Sequence, residues 1–193
     1  MRVDFRLFLL LSFVAIPTVA GAKTDVWTRL GLSGERVTAM AVAPASPGTI
    51  YAGTLSGGLF QIVDGEQKKL VDHLGSGSNA ITAIAVDPQN SAVLLAATAD
   101  GVFKTFDAGM HWSAVDAAIV DCVALTIDAR EPKIIYAGSS SAGLYTSIDG
   151  GANWIRSALT GNVQAVAIDP RNHLNVYAGT SLGIAQSIDG GSS

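Results

Sequence analysis

The chain has 193 residues, of which 15% are charged and 21 are glycine, and its net charge is −4. No basic cluster occurs, which argues against nucleic-acid binding and against docking on an anionic membrane. Cys122 is the only cysteine, so no disulfide forms within one chain.

The first element is the segment "MRVDFRLFLLLSFVAIPTVAGA". It has an arginine-bearing start, an apolar run from Leu7 to Pro17 and the small residues Ala20, Gly21 and Ala22. That order reads as a signal peptide over 1–22, cleaved near Ala22. The apolar run is short for a membrane span, and no cysteine follows it to carry a lipid. The expected location is therefore secreted or periplasmic, with no stable membrane insertion after cleavage. The remaining residues, 23–193, are enough for one domain with a sizeable core.

Next comes "DVWTRL" (25–30), a strand-like segment carrying Trp27. Four copies of one unit follow. Each opens with an apolar run: "VTAMAVAP" (37–44), "ITAIAVDP" (81–88), "CVALTIDA" (122–129) and "VQAVAIDP" (163–170). A second run contains Tyr51, Leu95, Tyr136 or Tyr177 at a fixed offset. A third begins at Gly58, Gly101, Gly143 or Gly183, and an aspartate always stands six residues later. These are Asp64, Asp107, Asp149 and Asp189. A fourth run, where present, is headed by tryptophan. Short runs rich in Val, Ile, Tyr and Ala between turn residues are strands.

Four strands repeated about every 41 residues predict an all-β chain, a β-propeller of four-stranded blades in about four repeats. The blades are expected at about 37–70, 81–116, 122–159 and 163–193, with the N-terminal strand at 25–30. Trp27 lies sixteen residues before Ala43, as Trp112 lies sixteen before Asp128. The last unit stops at "SIDGGSS" without its tryptophan. We therefore expect the strand of Trp27 to complete the fourth blade and close the ring, which removes exposed sheet edges. A piece of a longer propeller, and a homodimer completing an eight-bladed ring, are the alternatives.

The turn between the third and fourth runs has its own signature. "TFDAGMHW" (105–112) carries Thr105, Asp107, Gly109 and Trp112. "SIDGGANW" (147–154) carries Ser147, Asp149, Gly151 and Trp154. "SIDGG" (187–191) keeps Ser187, Asp189 and Gly191, while "IVDGEQKKL" (62–70) keeps only Asp64. This pattern resembles the Asp-box, or bacterial neuraminidase repeat, of sialidases, sortilin ectodomains, xyloglucanases and photosystem II assembly factors. The resemblance covers nearly all of residues 25–193 and implies a propeller with these turns on the blade periphery.

Physically, the aspartate is expected to accept N–H groups two or three residues on, with glycine permitting positive φ and the indole covering the turn. The signature is read as structural. Cys122 occupies the slot of Val37, Ile81 and Val163, and so reads as a small buried apolar residue. His73, His111 and His173 share no ligand spacing, so no metal and no cofactor is expected.

A glycosidase needs two carboxylates facing each other across a sugar, and no such pair can be assigned here. Sialidases use an arginine triad, a tyrosine nucleophile and a Phe-Arg-Ile-Pro segment, and that segment is missing. The expected role is non-catalytic: an exported propeller binding a protein or a glycan. The alternative is a fragment of a larger Asp-box propeller with glycoside hydrolase activity. Specificity is expected where the repeats differ, just before each inner strand, at Arg36, Asp121 and Asn162, and at Gln164 within it. These residues would ring the channel mouth, on the face opposite the Asp-box turns.

Overall fold

The computed structural model describes residues 28–75, 80–116 and 119–192. The expected signal peptide and Trp27 lie outside them. Four antiparallel sheets make up the described chain, and no helix occurs among its elements. The first sheet contains β1 (Val37–Val42), β2 (Thr49–Thr54), β3 (Leu59–Val63) and β4 (Glu66–Val71). The second contains β5 (Ala83–Val86), β6 (Leu94–Thr98), β7 (Gly101–Thr105) and β8 (Ser113–Asp116). The third contains β9 (Cys122–Ile127), β10 (Ile135–Ser139), β11 (Gly143–Ser147) and β12 (Ile155–Arg156). The fourth has three strands, β13 (Val163–Ile168), β14 (Val176–Thr180) and β15 (Gly183–Ser187). Strand order follows chain order in every sheet. The first strands, β1, β5, β9 and β13, pack against one another in succession. The sheets are thus propeller blades stacked face to face, with these strands innermost.

Burial explains why the second strands read as continuous apolar runs rather than alternating ones. All five residues of β6 and of β10 are buried, because a neighbouring blade covers each face. The blade-to-blade contact is close. A Cβ built on Gly53 would lie 2.4 Å from the Cβ of Ile81, the residue just ahead of β5. Gly138 in β10 meets Val163 in the same way, at 2.7 Å from a methyl carbon. In the second blade Ala97 takes the glycine's place and shares a cluster with Cys122; both are fully buried.

The ring does not close among the described residues. In β14 burial alternates, with Val176 and Ala178 covered and Tyr177 exposed, so only one face has a neighbour. On blade 1 the opposite face is bare: Val37, Met40 and Val42 are all exposed. The closed four-bladed ring expected from the sequence is therefore replaced by an open arc. Residues 28–30, the described part of the expected N-terminal strand, form no strand. A strand exists only where an edge pairs with it, and β15 has no outer neighbour here.

Candidate functional site

The arc has two edges with different chemistry. One carries the β1–β2 type loops and the β3–β4 type turns, which are bonded to each other. Ala108 N donates to Ala92 O (2.9 Å), Gly150 N to Lys133 O (2.8 Å) and Gly190 N to Leu174 O (2.9 Å). Within the loops, Asp87 Oδ1 accepts from the N–H groups of Gln89 (2.8 Å) and Asn90 (3.1 Å). Asp128 Oδ1 accepts from Arg130 (2.7 Å) and Glu131 (3.2 Å), and its Oδ2 meets His173 Nδ1 at 3.0 Å. These aspartates make the two-or-three-residue reach that the sequence led us to expect of the Asp-box.

The Asp-boxes of blades 2 and 3 are wired differently. Ser147 Oγ donates to Asp149 Oδ1 (2.8 Å) and accepts the N–H of Gly151 (2.8 Å). Asp149 Oδ1 then reaches four residues on, to Asn153 N (2.9 Å), and Oδ2 accepts from Asn153 Nδ2 (2.7 Å). Trp154 Nε1 donates to Gly151 O (3.1 Å). Thr105, Asp107, Gly109, His111 and Trp112 repeat the pattern, with the His111 ring 2.6 Å from Asp107 Oδ2. Ser187, Asp189 and Gly191 repeat its first half, and Asp189 Oδ1 accepts from Ser192 N at 3.1 Å. So the buried hydroxyl binds the turn's own N–H groups and the carboxylate clamps the far side. Asp64 stands in another kind of turn. Val63 pairs directly with Glu66, and Asp64 (φ 51°) and Gly65 (φ 85°) both have left-handed φ. That is a two-residue hairpin of the Asn/Asp-Gly type, which closes tightly without the serine or the tryptophan.

The clamp holds these carboxylates ionised. The N–H of Asn153, then its side chain and Ser147, bring Asp149 down to about 2 from the ordinary 3.8. Asp107 is lowered further, chiefly by the N–H of His111. A carboxylate depressed in the fold contributes stability above its unfolded pKa and loses it as pH falls through the folded one. For Asp149 that window runs from about pH 4 down to about pH 2. The urea midpoint should fall across this window, and Asp149→Asn should flatten part of the fall. Parallel curves for the two proteins would show that the clamp does not couple to stability.

This edge also joins the blades. At the second and third junctions the carbonyl of the fourth Asp-box residue accepts a bond from the blade before it. Tyr136 Oη donates to Gly190 O at 2.9 Å. The second blade has Leu95 at the tyrosine position, and there Lys104 Nζ from β7 donates to the equivalent Gly150 O. Burial pulls the Lys104 ammonium below its usual range, against the opposing charges of Asp87 and Asp149. The ammonium also lies 4.6 Å from the Phe106 ring centre.

The opposite edge carries the β2–β3 type turns and the segments leading into each inner strand. Here the structure places Arg36, Asp121 and Asn162 at one equivalent position on three blades. Their carbonyls accept from Leu55 N (2.8 Å), Ser140 N (3.0 Å) and Ser181 N (3.0 Å), and all three residues are exposed. Asp121 holds a left-handed φ of 51° and its Oδ2 accepts from Ser141 Oγ (2.8 Å). Gln164 is exposed on the uncovered side of blade 4. The neighbouring slot holds no free polar group on blades 1 and 2. Thr38 Oγ1 donates to Ile81 O (2.6 Å) and Thr82 Oγ1 to Cys122 O (2.5 Å), tying inner strands of successive blades together. Sequence reasoning missed Glu35 on this edge, whose Oε2 accepts from Ser56 Oγ at 3.1 Å. Its position beside Arg36 was the available signal. Among the described residues no group of three or more His, Cys, Asp or Glu could hold a metal.

No protein-family model matches the chain, and no curated protein matches it. Solved structures do. The chain is similar to an ancestral GH74 enzyme, with a TM-score of 0.72 and 19% identity over 86% of this chain and 25% of that one. It is similar to the GH74 xyloglucanase of Xanthomonas campestris, at 0.54 and 20% over 80% and 37%. It is also similar to the computationally designed Ika4 protein, at 0.64 and 16% over 83% of this chain and 98% of that one. The chain thus spans about a quarter to a third of the two enzymes. At these identities the likeness establishes the fold, a β-propeller of which this chain forms an open set of blades. No helix among the described residues is long and apolar enough to cross a membrane.

Proposed function

We propose that the chain is an exported, non-catalytic β-propeller of the Asp-box class that binds a protein ligand at the edge carrying Arg36, Asp121 and Asn162. The observation that carries this reading is the unequal use of polar groups at the two edges. On the Asp-box edge the carboxylates of Asp107 and Asp149 are spent on the turn's own N–H groups, which leaves little to offer a ligand. On the other edge equivalent positions present a cation, an anion and an amide, all exposed, where the shared scaffold bond uses the backbone carbonyl and Asp121 alone adds a side-chain bond, from Ser141 Oγ. A position fixed in space and free in chemistry is where a binding surface acquires its specificity.

The non-catalytic part rests on the carboxylates. A glycosidase needs two carboxylates facing each other across a sugar, whereas Asp107 and Asp149 are each held within their own turns. The test is retention of a protein from the exported fraction by the immobilised chain. The comparison is with a triple variant carrying Arg36→Ala, Asp121→Asn and Asn162→Ala. Asparagine is chosen at 121 because it tolerates a left-handed φ. A ligand lost from the variant at equal folded content is expected, and undiminished retention would move the site elsewhere.

A glycan ligand, with the chain as part of a glycosidase-like propeller, is the second reading. The likeness to the GH74 xyloglucanase favours it. Reducing ends released from xyloglucan by the purified chain would replace the first reading with this one.

A further inference from the structure

The junctions between blades share one device, a plug at the head of an inner strand set against a socket in the second strand of the blade before. Ile81 fits over Gly53, Cys122 packs with Ala97 and Val163 fits over Gly138. All three plugs are fully buried. The chain carries one more plug and one more socket than these junctions use. Val37 holds the plug position of blade 1 and is 45% exposed. Gly179 holds the socket position of blade 4. A Cβ there would meet only its own blade, at Ala165, 3.6 Å away.

The surroundings match as well. Met40 is 67% exposed and Val42 59%, where their counterparts Ile84 and Val86 are each at 8%. Ile184 is 85% exposed, where its counterpart Leu144 is at 3%. A third vacancy lies beside them. Trp154 sits against Gly151, Ile135 and Leu95. The corresponding place on blade 4 is an open cleft lined by Leu144, Leu159, Val176, Ser187 and Gly191.

We propose that these surfaces meet between two copies of the chain. Blade 1 of each copy seats Val37 over Gly179 of the other, giving a closed ring of eight blades with twofold symmetry. Within one chain the plug and the socket stand at opposite ends of the open arc, so a second copy brings them together without bending it. Eight blades lie within the usual range for propeller rings, and a twofold ring leaves no apolar face open.

The test uses the full chain. Across the third junction Thr126 Oγ1 donates to Val166 O at 2.9 Å, and at the proposed junction Ala167 and Met40 hold those two places. Met40→Cys and Ala167→Cys are made singly, mixed and treated with a short bismaleimide. Cys122 is fully buried and stays out of the reaction. A two-chain product from the mixture and from neither variant alone is expected. Light scattering should give twice the chain mass for the native sequence and one chain mass for Gly179→Leu, whose side chain fills the socket. Three results would overturn the proposal: no cross-link in the mixture, a product from either variant alone, or a Met40→Cys/Ala167→Cys double variant that links only within itself. The cross-linking result stands even where Gly179→Leu fails to fold.

Discussion

Gly53→Ala is expected to destabilise the chain by about 3 kcal/mol, the upper part of the range for overpacking a core. The added carbon would lie 2.4 Å from Ile81 Cβ, a backbone-anchored atom that no rotamer change can move aside. Relief requires the two blades to separate, which uncovers Leu59, Ile81 and Leu94, all fully buried. Alanine in place of glycine normally gains a few tenths of a kcal/mol by restricting the unfolded chain, so the loss is net of that gain. Gly179→Ala is the internal control. It makes an ordinary 3.6 Å contact with Ala165 and should change the stability of the single arc by less than about 0.5 kcal/mol, as an unobstructed surface substitution does. Urea unfolding at dilute protein concentration measures both. A cost below about 1 kcal/mol for Gly53→Ala would mean that the blades yield at this contact, contrary to close core packing.

Trp154→Ala is expected to cost about 3 kcal/mol, within the range for removing a large aromatic from a packed site. The indole joins the cluster of Leu95, Ile135 and Tyr145, which belong to two successive blades. Its N–H also holds Gly151 O at the base of the turn. Its loss opens a void at a blade junction and frees the turn that bonds to Lys133. Calorimetry should show the melting temperature fall by roughly 6–12 °C, given about 2–4 °C per kcal/mol for a domain of this size. A fall under about 2 °C would make the indole a cover for the turn and nothing more. Trp112 does the same at the junction before it, against the cluster of Tyr51 and Leu94, and Trp112→Ala should behave alike.

The blades were legible in the sequence because one spatial requirement repeats. The second strands of the first three blades are covered on two faces, so "IYAGT", "LLAAT" and "IYAGS" read as unbroken apolar or small runs. Each Asp-box needs a hydroxyl and a carboxylate at fixed spacing, so serine or threonine and aspartate return together. The reach of the carboxylate was not legible, because a four-residue span depends on where the turn's N–H groups point. Asp64 was grouped with the Asp-box on position alone. The structure gives it a hairpin of two residues, which its neighbour Gly65 already signalled. On the binding edge the sequence singled out Arg36, Asp121 and Asn162 by their variation. It could not separate them from Thr38 and Thr82, which vary too and are committed to tying blades together. The open arc was the least legible feature, since closure depends on how the ends meet in space and not on local pattern.

Tyr136 and Lys104 deliver a donor to the same kind of carbonyl from different strands, one from β10 and one from β7. At the first junction Tyr51 Oη reaches Ser91 O instead, at 3.5 Å, so donor and acceptor both change from seam to seam. Averaging the repeats into a consensus would place tyrosine at 95 and glutamine at 104, where the other repeats hold Gln61, Thr146 and Gln186, and that glutamine would donate to the phenol as Gln61 does to Tyr51. Copying either blade whole keeps its own solution intact. Duplication of entire blades and residue-by-residue averaging thus both leave a donor at the seam, but only the first can keep the lysine.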